Sequence, residues 1–142
     1  MTVTARSLKN YQVEITAGSH TFLSDEPVGV GEDAGPDPFA LMLGGLAACT
    51  VITLHMYARR KAWPLDEVRI TVKMRSEDRE SPQGEKKRVS IIDTELDLTG
   101  ALAPEQVKRL EQIANKCPVH KTLTGEIIIN STARLAELPP AG

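Results

Sequence analysis

Residues 39–58 read FALMLGGLAACTVITLHMYA, twenty positions without a single Asp, Glu, Lys or Arg. The run is as long as a membrane span. It is diluted by Gly44, Gly45, Thr50, Thr53, His55 and Tyr57, and strongly patterned strand sequence follows at once. The reading adopted is the buried helix of a soluble domain, with no membrane partner. Asp37 and Pro38 supply an N-cap and a first helical position, while Arg59, Arg60 and Lys61 complement the dipole at the far end. Pro64 forbids continuation past Trp63. The expected helix runs from about Pro38 to about Lys61. Apolar on every side, it needs cover on every side. One sheet in a chain of 142 residues cannot give that, so a second copy is expected to help.

Working outward, residues 25–38 carry Pro27, Gly29, Gly31, Gly35, Pro36 and Pro38 and must form a loop. Asp25 and Glu26 within it read as a turn device or as solvation. Before the loop, residues 11–15 alternate with period two, residues 17–19 turn, and residues 20–23 return as a strand. After the helix, Val68, Ile70, Val72 and Met74 share one face opposite Arg69, Thr71, Lys73 and Arg75. Ile92, Thr94, Leu96 and Leu98 share a face opposite Asp93, Glu95 and Asp97. Paired antiparallel, the two strands set a basic row against an acidic one. The charged connector, residues 76–87, reads as a mobile hairpin loop. Pro104 opens a second helix, with Val107, Leu110, Ala114 and Cys117 along its buried stripe, and Pro118 stops it or starts a short one. Residues 126–129 read as a closing strand. The order gives an α+β fold with a mostly antiparallel sheet, one domain over residues 1–133 and a flexible tail over residues 134–142.

Composition narrows the function. Hydrophobic residues at 41% and charged residues at 25% are ordinary for a globular chain. A net charge of −2 and 4% aromatics supply neither a phosphate-binding field nor a stacking platform, so no nucleic-acid partner is expected. Residues 1–6 lack the apolar core of a secretory signal, and a cytoplasmic protein is expected. Two cysteines in that compartment serve reactivity more often than a permanent staple.

Those cysteines, Cys49 and Cys117, are the only two in the chain and both sit on apolar stretches. Brought together, they suit reversible thiol–disulfide cycling; kept apart, they are two small hydrophobes. Lys116, His120 and Lys121 make a cationic neighbourhood for Cys117, whereas Cys49 lies too deep in its helix for the N-terminal dipole to help. Cys117 and His120 have the spacing of half a zinc site with no second half, and no metal or other cofactor is expected. Dinucleotide fingerprints, phosphate loops, nucleophile elbows and Cys-x-x-Cys pairs are all absent from the sequence.

Two blocks together carry a resemblance. Residues 35–50, GPDPFALMLGGLAACT, followed by residues 56–61, MYARRK, and residues 116–123, KCPVHKTL, resemble the OsmC/Ohr family. The likeness runs from about residue 20 to residue 132, and Asp25-Glu26-Pro27 resembles the lead-in of one OsmC-like subgroup. The resemblance implies an intertwined homodimer with long central helices wrapped by sheets from both subunits. It implies thiol-dependent reduction of hydroperoxides, organic ones above all, with hydrogen peroxide as a lesser substrate. Carried over, Cys49 matches the peroxidatic cysteine and Cys117 the resolving one, and an external dithiol reduces the resulting disulfide. Many members carry a glutamate just after the helix-opening proline, where it helps to position an arginine beside the reactive thiol. Here that stretch is Pro38-Phe39-Ala40, and Arg6 is only a candidate for the arginine. The alternative is a weakly catalytic or non-catalytic dimer that binds a small apolar ligand in the same cleft. A structural disulfide or metal site is a third and weaker reading.

Overall fold

The computed structural model describes residues 1–137, in the order β1 (Val3–Ser7), β2 (Val13–Ala17), β3 (His20–Ser24), α1 (Pro38–Lys61), β4 (Glu67–Glu80), β5 (Lys86–Thr99), α2 (Pro104–Ala114) and α3 (Pro118–Thr124). It is an α+β fold with two antiparallel sheets, β1-β2-β3 and β4-β5. The part of the expected tail that covers residues 138–142 lies outside the described residues.

α1 has the expected bounds for the expected reasons. The Asp37 carboxylate accepts the Ala40 N–H at 2.9 Å, Pro38 takes the first helical position, and three basic residues fill the last turn. Its length and composition also satisfy a membrane span. It is the central element of the fold, with β4, α2 and α3 all packed against it. Its buried stripe is Leu46, Thr50, Leu54, Tyr57 and Ala58. Leu54 and Tyr57 join Val68, Leu110, Ile113 and Ala114 in the core, with Trp63, Leu96 and Leu98 packed around them.

The β4–β5 pairing is the anticipated antiparallel one. Val68 faces Leu98, Ile70 faces Leu96 and Met74 faces Ile92 on the apolar side. On the other side Arg69 faces Asp97 and Lys73 faces Asp93. The hairpin is longer than expected, because residues 76–80 and 86–90 are paired strand rather than mobile loop. Opposed charges favour the extension at two positions, where Asp78 lies across from Arg88 with an ion pair of 3.1 Å and Glu80 across from Lys86, and oppose it at one, where Arg79 lies across from Lys87. Only Ser81 to Glu85 turn, closed by the Ser81 N–H on the Glu85 carbonyl at 2.8 Å.

Three further expectations are corrected. β1 lies ahead of the first expected strand; its five residues, VTARS, alternate only briefly and all are exposed. Cys117 is not on the stripe of α2, which ends at Ala114; it is the N-cap of α3. Residues 126–129 form no strand in the described chain, and Ile127, Ile128 and Ile129 are 52%, 74% and 83% exposed. Three consecutive isoleucines thus stand bare and unpaired in the described chain.

The loop before α1 is stapled by Asp25. Its carboxylate, in a residue only 2% exposed, accepts the N–H groups of Glu26 at 2.8 Å and of Glu32 and Ala34 at 3.1 Å. These bonds, that of Ala34 first, hold the carboxyl below its ordinary range against the opposing effect of desolvation. The turn-device reading of Asp25 is therefore the observed one. Gly35 is required where this loop closes on β3, because a Cβ there would run into the Leu23 carbonyl.

The β1–β3 sheet makes no substantial contact with any helix or with the β4–β5 hairpin. On α1, Met42, Ile52 and Met56 are exposed, with Gly45 between them and Cys49 half-buried. Positions 42, 45, 49, 52 and 56 follow the alternating three-four spacing of a coiled-coil seam. That unpartnered seam is the side of the helix that the single chain leaves uncovered.

Candidate functional site

Two elements build the site. α1 presents Thr50 on its buried stripe, one residue beyond Cys49. The α2–α3 junction presents Cys117, held by its place in the chain. Asn115 caps α2 in a helical conformation, Cys117 is extended at φ −64° and ψ 144°, and Pro118 starts α3. A proline there fixes the turn, because the residue before it is pushed into the extended region.

Cys117 is fully buried. Its Sγ accepts the His120 N–H at 3.3 Å and lies 3.7 Å from Thr50 Oγ1. Thr50, 3% exposed, also bonds the Leu46 carbonyl at 2.9 Å. Both cysteines are free thiols. The fold thus brings Cys117 to the residue beside Cys49. Successive helix positions differ by about 100°, so Cys49 points away from Thr50, toward the exposed seam.

A cavity of about 280 Å³ adjoins this contact. Leu46, Ile92 and Leu123 give it apolar walls, and His120, Asn115 and Thr124 give it a polar rim. Thr94 and Asn115 also line a second hollow of about 400 Å³, which runs on between β5 and α2.

The expected activating groups are placed elsewhere. Arg6 is paired with Glu14 across β1 and β2 at 2.8 Å, with 68% of its side chain exposed. The hydrogen bond that Arg6 donates to that carboxylate, then the carboxylate's charge, raises the arginine's pKa further above its ordinary value. The first turn of α1 contains no acidic residue, and Phe39 is 62% exposed. The Asp25 carboxylate is engaged by three backbone donors of its own loop. Among the described residues no three His, Cys, Asp or Glu side chains gather as a metal site requires.

Thr50 is the site residue that the sequence reading passed over. The signal was present: a hydroxyl in the apolar run, next to the cysteine, at a position four residues from both Leu46 and Leu54. His120 was noticed for its ring, yet the contact it makes with Cys117 is through its backbone N–H.

The comparisons with known proteins agree on one family. The family model described as OsmC-like protein matches residues 31–132. The OsmC-like protein of Mycoplasma pneumoniae superposes with a TM-score of 0.71 at 21% identity, covering 87% of this chain and 86% of its own. An organic hydroperoxide resistance protein OsmC of Legionella pneumophila gives 0.59 at 24%, covering 87% and 88%. The organic hydroperoxide resistance protein OhrB of Bacillus subtilis gives 0.55 at 22%, covering 87% and 90%. At these identities the structural likeness establishes the fold. No curated protein sequence matches the chain.

Proposed function

The chain belongs to the OsmC-like protein family, and from that premise we propose that it is a thiol-dependent peroxidase for organic hydroperoxides. Cys49 as thiolate attacks the peroxide O–O bond. The alcohol leaves, and the sulfur keeps one oxygen as a sulfenic acid. Cys117 then attacks that sulfur; an S–S bond forms, the S–O bond breaks, and the thiol proton departs with the hydroxyl as water. An external dithiol restores both thiols by exchange. The observation that carries this reading is the seat of Cys117 against Thr50, the immediate neighbour of Cys49. Two solved relatives that bear the name of organic hydroperoxide resistance supply the substrate class.

The same reading makes the working unit an intertwined homodimer, each copy one domain over residues 1–133, in the reducing cytoplasm. The seam of Met42, Gly45, Cys49, Ile52 and Met56 is its contact face, and Cys49 then lies where two copies meet. The arginine of the activating pair is expected from the partner copy or from a rearranged Arg6. One observation favours a second reading, an apolar-ligand binder with little turnover: the first turn of α1 has no carboxylate, while the cavity beside Cys117 has three aliphatic walls.

The deciding experiment mixes reduced protein with stoichiometric cumene hydroperoxide and follows peroxide loss and intact mass. The wild type is expected to lose two hydrogens as the disulfide forms, and Cys49→Ser to lose none. Peroxide loss no faster than in that variant refutes the enzyme reading. A rise in melting temperature with aliphatic or aryl ligands then supports the binder.

A further inference from the structure

The Thr50 hydroxyl has one proton and two neighbours that can take it, the Leu46 carbonyl at 2.9 Å and Cys117 Sγ at 3.7 Å. The carbonyl oxygen is the stronger and nearer acceptor, and such a bond four residues back is the ordinary habit of a helical threonine. With its proton so placed, Oγ1 presents a lone pair to the sulfur, and the Cys117 thiol is the group with a hydrogen to give. When that thiol gives its proton to the departing hydroxyl as it attacks, the roles reverse. Rotation of the Thr50 hydroxyl turns its O–H from Leu46 to the sulfur, which then holds two donors, Thr50 O–H and His120 N–H.

We propose that Thr50 is the positioning residue of the resolving thiol, a hydroxyl rotor that accepts from Cys117 as a thiol and donates to it as a thiolate. The role of Cys117 as the resolving thiol rests on the peroxidase reading; the seat itself rests on the geometry alone. Burial makes the rotor necessary. Cys117 is fully enclosed and Thr50 is 3% exposed, so water is not at hand to solvate the charge that forms when the sulfur attacks. The seat also sets a direction. Cys117 waits on one side of α1 and Cys49 points about 100° around it, so the sulfur must leave Thr50 as the disulfide closes.

A bond to a charged sulfur is worth more than one from a neutral thiol. Removal of the hydroxyl therefore costs the attacking state more than the resting one. Thr50→Val, which keeps the shape, is expected to slow the sulfenic-to-disulfide step, read as the rate of disulfide closure in a single turnover, by about ten-fold. Thr50→Ser restores the rate.

The seat is tested without peroxide by Raman spectroscopy of the Cys49→Ser protein, whose only S–H band belongs to Cys117. Adding Thr50→Val is expected to move that band up to the free-thiol frequency, and adding Thr50→Ser to leave it in place. An unmoved band in the valine variant overturns the proposal. So does a valine variant of the two-cysteine protein that closes its disulfide as fast as wild type. Should wild type consume no peroxide, the enzyme reading falls by itself, and the Raman comparison still decides whether Thr50 seats Cys117.

Discussion

Ile52→Glu tests the α1 seam. Ile52 is 53% exposed in the single chain, and complete burial of an isoleucine side chain is worth about 1.5–3 kcal/mol. Covering the exposed half gives about 0.8–1.6 kcal/mol per copy, and a two-fold interface counts it twice. Loss of Ile52 from both copies then weakens association by about 2–3 kcal/mol, or about 30- to 140-fold at 1.4 kcal/mol per decade. The glutamate adds the cost of an unpaired carboxylate in an apolar seam, so about 100-fold is the lower expectation. Sedimentation velocity across a concentration series reads the change, with circular dichroism to confirm that the helices remain. The residue buries little within its own chain, so the helix content is expected to hold. A variant that sediments as a dimer at the same concentrations as wild type refutes the reasoning, and so does a wild type that is monomeric throughout.

Three other outcomes follow from the geometry. Leu110→Ala, at a fully buried core position, is expected to cost about 2–5 kcal/mol, whereas Val107→Ala, 41% exposed, costs well under half of that; urea midpoints at unchanged slope distinguish the two. Asp25 has its folded-state pKa held down, chiefly by the Ala34 N–H. The stability it adds is therefore complete above its unfolded-state value and is lost as pH falls through the folded one, so Asp25→Asn should flatten the acid limb of a pH–melting curve; an unchanged limb counts against the staple. The Tyr57 phenol is held below its ordinary value, first by the hydrogen bond from Arg109 at 3.2 Å and further by the charges of Arg109, Lys61 and Arg60. Ultraviolet titration should show it ionising early, and Arg109→Leu should move it back up; no movement removes Arg109 as the cause.

How far the fold was legible depended on where each signal lay. α1 was readable to the residue because its boundaries are local chemistry: an aspartate cap, a proline at the start and a proline just beyond the end. The β4–β5 pairing was readable because both strands alternate and their outer charges are opposite. Strand pairing at residues 76–80 was hidden, since a charge-rich stretch looks like loop until its partner's charges are known. The place of Cys117 was misread because helical spacing carries arithmetically past Asn115, although Pro118 already marked the break. For residues 126–129 the strand pattern is present but its pairing edge is not, and pairing is a property of two segments. Both cysteines drew attention in the sequence; the seat of Cys117 against the Thr50 hydroxyl is a product of the packing of α3 on α1.

The isolation of the β1–β3 sheet has a consequence for how the molecule opens. Its strands hold one another by ladder hydrogen bonds, but no helix lies over them. Amides of β1 to β3 can therefore exchange with deuterated solvent through a small opening that leaves Leu54 and Leu110 enclosed, while amides of α1 and α2 around those two residues wait for the whole core to part. Two populations of protected amides should result. If a second copy covers the sheet, the faster population slows as protein concentration rises and the slower one follows global stability, so the sheet's exchange rate reports assembly strand by strand.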